Sequence, residues 1–194
     1  TNSDTSGATQ MTVGATGKLF EILCRKVYTD KVSAVIRELW SNAYDSHVDA
    51  GTPEVPFLAS LPTALDPNFV VRDYGVGMSH DDVVNTYAVL TASTKTDSND
   101  VVGFLGIGSK APFAISDMFS LRCFDGTSVR GYVIYIGPEG VPVIQRTGEQ
   151  ESDEPRGVEV SVPVESAQFS EFASKAETIA FGFPTSPIGI PDRG

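Results

Sequence analysis

The chain has 194 residues, 41% of them hydrophobic, enough to bury one core and suited to a single domain of α/β or α+β character. Asp and Glu outnumber Lys and Arg 25 to 14, a formal charge of −11 that disfavours nucleic acid and anionic membranes as partners where no basic patch intervenes. Cys24 and Cys123 each sit among apolar residues, as buried reduced thiols do, and no run nears the roughly 20 apolar residues of a membrane span, so the sequence reads as a soluble cytoplasmic protein without a transmembrane segment.

Residues 1–10 are small and polar and are expected to be disordered, with one domain over 11–181 and a Pro- and Gly-rich tail or linker to a downstream domain over 182–194. Leu19, Ile22, Leu23 and Val27 have helical spacing and predict a helix over 18–28. Val32, Val35, Ile36, Leu39 and Ala43 predict a second over 31–48, stopped by Gly51-Thr52-Pro53. Strands are expected over 55–61 and 69–72, and a short helix over 81–90 with Ser79 as its N-cap. A polar loop without periodicity, 91–100, is a candidate lid. A short helix around 111–116 precedes strands over 118–124, 129–136, 141–146 and 158–164, whose short connections imply antiparallel pairing. Residues 148–157, with Glu149, Glu151, Asp153 and Glu154, read as an exposed acidic turn, and 167–180 as a closing helix. This order lacks the strand–helix alternation of a doubly wound sheet. It predicts an α+β fold, a two-layer sandwich of mostly antiparallel sheet with its helices on one face and a pocket between the layers.

Three segments carry chemistry. Glu38, Asn42 and Asp45 stand at i, i+4 and i+7, one polar stripe on the second helix. Asp73-Tyr-Gly75-Val-Gly77-Met78 puts an acid at the end of an apolar run, entering a glycine turn. Gly103-Phe-Leu-Gly106-Ile107-Gly108-Ser109-Lys110 is a glycine-rich loop running into a helix start, a geometry that holds phosphates on backbone N–H groups. Each has a plain structural reading as well: a solvated helix face, a strand-ending turn, a loop lysine. Together and in this order they read as a nucleotide site. Gly108-Ser109-Lys110 is not a Walker A loop, in which the lysine follows the last glycine and precedes Ser or Thr. Gly106-Ile107-Gly108-Ser109-Lys110-Ala111 fits a dinucleotide fingerprint, with Val101 and Val102 upstream and Asp125 downstream. Against that alternative, Pro112 and the short span before Met118 leave too little helix for a crossover.

The three segments resemble, in order and spacing, the GHKL ATPase superfamily with its Bergerat fold. The likeness covers roughly residues 15–165. More narrowly, Arg37-Glu38-Leu39-Trp40-Ser41-Asn42-Ala43-Tyr44-Asp45, Ser93-Thr94-Lys95 and Gly106 through Phe113 resemble phage rIIA-like proteins, protectors from prophage-induced early lysis. The resemblance implies ATP and Mg²⁺ as ligands, with Glu38 as general base, Asn42 as Mg²⁺ ligand and Asp45 near base and ribose. It implies Asp73 as acceptor for the adenine amine, Gly75, Gly77 and Met78 around the base, and Gly103, Gly106, Ile107, Gly108 and Ser109 at the phosphates, with Lys95 or Lys110 as counter-charge. It further implies slow hydrolysis with lid closure, dimerisation, a downstream transducer domain or a phage or host protein as partner, and a role in lysis control in the infected cell. A catalytically inactive nucleotide-binding or interaction module of the same fold is the alternative. Many relatives carry threonine after a glycine in a late strand, helping to hold adenine, where Gly157-Val158-Glu159-Val160 offers valine. His47 and His80 lie in no dimerising hairpin and read as surface residues, and Trp40 and Tyr44 as packing residues.

Overall fold

The computed structural model describes residues 8–10, 28–88 and 108–190. The expected helix over 18–28 apart from Tyr28, the lid 91–100 and the residues Cys24, Lys95, Gly103, Gly106 and Ile107 lie outside them. The first described helix, α1 (Lys31–Asp49), buries Val32, Val35, Ile36, Leu39, Trp40 and Ala43, the apolar stripe of a 3.6-residue period. Its start is set by Asp30, whose carboxylate accepts from the Ser33 backbone N–H at 3.0 Å and from the Ser33 hydroxyl at 2.8 Å. Strands β2 (Leu58–Ser60) and β3 (Asn68–Arg72) follow, then α2 (His80–Ala88). Ser79 caps α2 as expected: its hydroxyl accepts from the Asp82 N–H at 3.1 Å, and Asp82 accepts from the Ser79 N–H at 2.8 Å.

A 3₁₀ helix over Gly108–Ala114 stands where a short α-helix was expected, because Pro112 inside it lacks the N–H an α-turn needs. Four longer strands come next, β4 (Met118–Phe124), β5 (Ser128–Ile136), β6 (Pro142–Glu151) and β7 (Gly157–Pro163), before the closing helix α3 (Phe169–Phe181). β6 runs five residues beyond its expected end at Arg146. A bulge at Gly131/Tyr132 keeps Ser128–Gly131 in register with Gly148–Glu151, and Glu149 bonds both Ser128 and Arg146, so the acidic turn shrinks to 152–156.

With β1 (Ala8–Gln10) the strands form one seven-stranded sheet in the order β1-β6-β5-β4-β7-β3-β2, every neighbouring pair antiparallel. No parallel crossover exists among the described strands, and Val101, Val102 and Gly106 of the dinucleotide reading lie outside the described residues. One face alternates into the core through Phe69, Val71, Phe119, Leu121, Val158, Val160 and Ile134, under α1, α2 and α3. The other carries Ser120, Arg122, Glu159 and Ser161, with Arg122 and Glu159 paired at 3.1 Å. This is the expected α+β architecture. β3 and β7 are neighbours, and that places the end of β3 against the start of β7 under α1.

Two expectations about the ends need correction. Ala8–Gln10, within the segment expected to be disordered, pairs with Val143–Gln145, because an open sheet edge satisfies backbone groups whatever the side chains. Residues 183–190, expected as tail or linker, lie beside β2: the Ala59 N–H donates to Ile188 O at 2.8 Å, and Phe183 packs edge-on against Trp40 at 5.6 Å. Among the described residues no helix is long and apolar enough to cross a membrane.

Asp30 also bonds Lys175 of α3, and that contact, with the Ser33 bonds, lowers its carboxyl from 3.8 to about 2. A depressed carboxyl contributes stability above its unfolded value that fades as pH falls toward its folded one. Asp30→Ala is therefore expected to cost about 1 kcal/mol at neutral pH, chiefly as a lost N-cap, and to approach zero cost near pH 2, read from urea midpoints at both pH values.

Candidate nucleotide site

The flank of α1 beside its buried stripe carries Glu38, Asn42, Asp45, Ser46 and Asp49. Four of these, Asn42, Asp45, Ser46 and Asp49, line a cavity of about 250 Å³ between helix layer and sheet. Val71 of β3 and Val158 and Val160 of β7 form its apolar floor, the turn after β3 contributes Asp73, Val76, Gly77 and Met78, and Thr86, Tyr87 and Ser109 close the far side. Six residues singled out from sequence, Asn42, Asp45, Asp73, Gly77, Met78 and Ser109, thus meet in one cavity. A larger cavity of about 640 Å³ beside the end of α3 is lined by Phe181, Phe183, Pro187 and Ile188 among others and includes no motif residue. Glu177, Thr178 and Ser186 are its polar lining, and none of them belongs to the three segments singled out from sequence.

Glu38 does not line the cavity. It is half-buried and faces the start of the 3₁₀ helix, so close that a Cβ on Gly108 would lie 2.4 Å from Glu38 Oε2. First and third motifs therefore touch at the position where Cβ is absent. Lys110 is not a solvated loop lysine: it is 1% exposed, and its Nζ donates to Thr86 O at 2.8 Å and to Ser109 Oγ at 3.3 Å. The ammonium holds the end of α2 to the 3₁₀ helix at the cavity wall.

Asp73 is 7% exposed. Its Oδ1 accepts from the Gly75 N–H at 3.0 Å and from the Ser46 hydroxyl at 3.2 Å, and its own N–H donates to Val158 O at 2.9 Å. Burial raises its carboxyl above the ordinary range, opposed by these hydrogen bonds. Gly77 has φ +71, the left-handed conformation glycine enters without penalty. Gly75 is required for a different reason, since a Cβ there would lie 2.2 Å from Ser46 Oγ and 2.4 Å from the Ser46 backbone.

His47 corrects the expectation of a surface histidine. The ring is fully buried, with Nδ1 2.8 Å from Val55 O and Nε2 accepting from the Tyr74 N–H at 2.7 Å, a pairing that suits the neutral Nδ1–H tautomer. His80 is half-buried, 3.0 Å from the Tyr132 hydroxyl. Trp40 and Tyr44 are packing residues as expected, both against Phe183. Beneath Asp73, the buried Arg72 guanidinium donates to the carbonyls of Asp73 and Pro155 and lies over the rings of Phe124 at 4.0 Å and Tyr74 at 4.6 Å. Desolvation lowers its pKa. Ser46 and Arg72 were not singled out from sequence and His47 was read as a surface residue, because partners of each, Val76, Pro155 and Tyr74, stand far along the chain.

No protein-family model matches this chain. It is similar to the chaperone protein HtpG of Rhodococcus jostii (strain RHA1), 30% identical over an alignment of 133 positions that takes in 55% of this chain and 20% of that protein. The chain thus spans about a fifth of that curated relative. The likeness supports a GHKL, Hsp90-like domain, with which the antiparallel α+β sheet is compatible, and goes no further.

Gly75→Ala is expected to cost about 3 kcal/mol or more in urea unfolding, because the clash is with helix backbone as well as a side chain.

Proposed function

We propose that this domain binds Mg·ATP and hydrolyses it slowly. The observation that carries the reading is the convergence of Asn42 and Asp45 from α1, Asp73 to Met78 from the turn after β3, and Ser109 on one cavity whose edge is flanked by Glu38 and Gly108. An ionised Asp73 accepts a hydrogen bond from an exocyclic amine, which adenine has and guanine replaces at the same edge by a carbonyl. The apolar floor of Val71, Val158 and Val160 suits a flat base. Asn42 offers an oxygen ligand of the kind Mg²⁺ takes. Among the described residues no group of three or more His, Cys, Asp or Glu could hold a metal, so a magnesium ion at Asn42 would depend on the phosphates for further ligands. When bound, the ion would offset phosphate charge in a site whose described lining includes Asp45, Asp49 and Asp73.

Glu38 serves as general base, orienting and polarising the attacking water from its place against Gly108. Ser109 and the Gly108 backbone take the phosphate end. Dimerisation on nucleotide and coupling to a downstream domain belong to the same proposal. A narrower role as a phage rIIA-like protein in lysis control rests on the wording of the motifs alone, and the chaperone relative lends it nothing. One observation favours the second reading, a nucleotide-binding or interaction module without turnover: Val158 puts a methyl pair in the cavity floor where many GHKL relatives have a hydroxyl.

Calorimetric titration with ATP and Mg²⁺, run beside a phosphate-release assay, separates the two. Glu38→Ala is expected to keep ATP affinity within about threefold while turnover falls by about 100-fold or more. Phosphate release at the background rate from the wild type would leave the non-catalytic module, turnover unchanged in Glu38→Ala would overturn Glu38 as the base, and no heat from ATP with the wild type would overturn both nucleotide readings. Because burial raises the Asp73 carboxyl, ATP affinity is expected to decline on acidification from a higher pH than an ordinary aspartate would give, and Asp73→Asn is expected to abolish that acid limb.

A further inference from the structure

We infer that Ser46, which belongs to none of the three motifs, positions Asp73 for base recognition and sets the preference for a purine bearing an amine at carbon 6; this rests on the nucleotide-site reading above. Ser46 lies on the cavity flank of α1. Its Oγ accepts from the Val76 N–H at 3.1 Å, and its own O–H donates to Asp73 Oδ1 at 3.2 Å. The hydroxyl is thus oriented by one backbone donor and spends its hydrogen on the carboxylate. Oδ1 takes a second donor, the Gly75 N–H at 3.0 Å, so the acceptor capacity left for an arriving amine lies chiefly on Oδ2.

The turn is wrapped on this hydroxyl. Asp73 and Val76 both bond it, and Gly75 passes so near that a Cβ would fall 2.2 Å from Oγ. Val158 and Val160 on the opposite wall are apolar, and Ser46 is the side-chain hydroxyl that reaches Asp73 among the described residues. A buried carboxylate accepts from a ligand only while its charge and direction are maintained by donors already in place. Remove the Ser46 hydroxyl and Asp73 keeps its place in the chain, through its N–H to Val158 O, but loses a donor that maintains both.

The readout is a discrimination ratio, which a merely structural residue would not move. ATP and purine riboside triphosphate, identical save for the 6-amino group, are titrated with Mg²⁺ into the wild type, Ser46→Ala and Asp73→Ala, with thermal unfolding as a check that each is folded. The wild type is expected to prefer ATP by about 10- to 100-fold, the range of one hydrogen bond to a charged group. Ser46→Ala is expected to reduce that preference to about threefold or less, close to Asp73→Ala, while binding of the amine-free triphosphate changes little. Ser46→Cys, similar in shape but with a weak donor, gives the same loss should Ser46→Ala unfold. If Ser46→Ala weakens both triphosphates equally, or leaves the ratio intact, the inference is wrong while the nucleotide site stands. If the wild type binds both alike, Asp73 is not the base reader and the inference falls with it. If it binds neither, the nucleotide reading itself fails.

Discussion

A carboxylate taken almost wholly out of water at the end of β3 governs what the surrounding residues must be. Asp73 cannot stay charged in that position unless donors converge on it, and they come from the local turn and from α1. Apolar residues of β3 and β7 and the polar flank of α1 line the same cavity as the acid. Arg72 follows the same rule with opposite sign: a buried guanidinium is given carbonyl acceptors and two aromatic faces in place of water.

Topology makes this arrangement inexpensive. β7 is inserted between β3 and β4, so the backbone of Val158 lies beside Asp73 although 85 positions separate them in sequence, and the Asp73 N–H is satisfied there without any side chain. α1 crosses the same end of the sheet and grips the turn twice, through the Ser46 hydroxyl and through the His47 ring, which satisfies the Tyr74 N–H. The turn between β3 and α2 is thereby attached to rigid elements as well as to itself through the Gly75 N–H on Asp73, which fixes the direction of the carboxylate.

What was legible in the sequence followed repeating patterns. α1 was readable because its apolar residues recur every three or four positions, and β4 and β7 because theirs alternate. Asn42, Asp45, Asp73, Gly77, Met78 and Ser109, which line one cavity, could be picked out together because their spacing survives as short motifs. The 3₁₀ helix was not, since Pro112 and glycine leave no period to detect. The length of β6 was hidden by charged residues that an edge-near antiparallel ladder tolerates as well as apolar ones. Ser46 and His47 were invisible as positioning groups because their partners in the turn stand 27 to 30 residues away, and nothing local distinguishes them from solvated helix residues. Lys110 shows the limit most plainly: its type suggests solvent, and only tertiary packing puts it beneath the end of α2.

The chain contains a single tryptophan, and the fold gives it an unusual office. Trp40 is fully buried on α1, its ring edges covered by Phe57 at 5.9 Å and by Phe183 from the returning segment, and its Nε1 has no hydrogen-bond partner among the described residues. An indole so placed, shielded from water, emits in the blue, on the helix that also carries the cavity-lining flank. Its fluorescence is therefore a built-in optical gauge of whether residues 183–190 stay seated, recorded without a label and from the far side of the helix from the cavity.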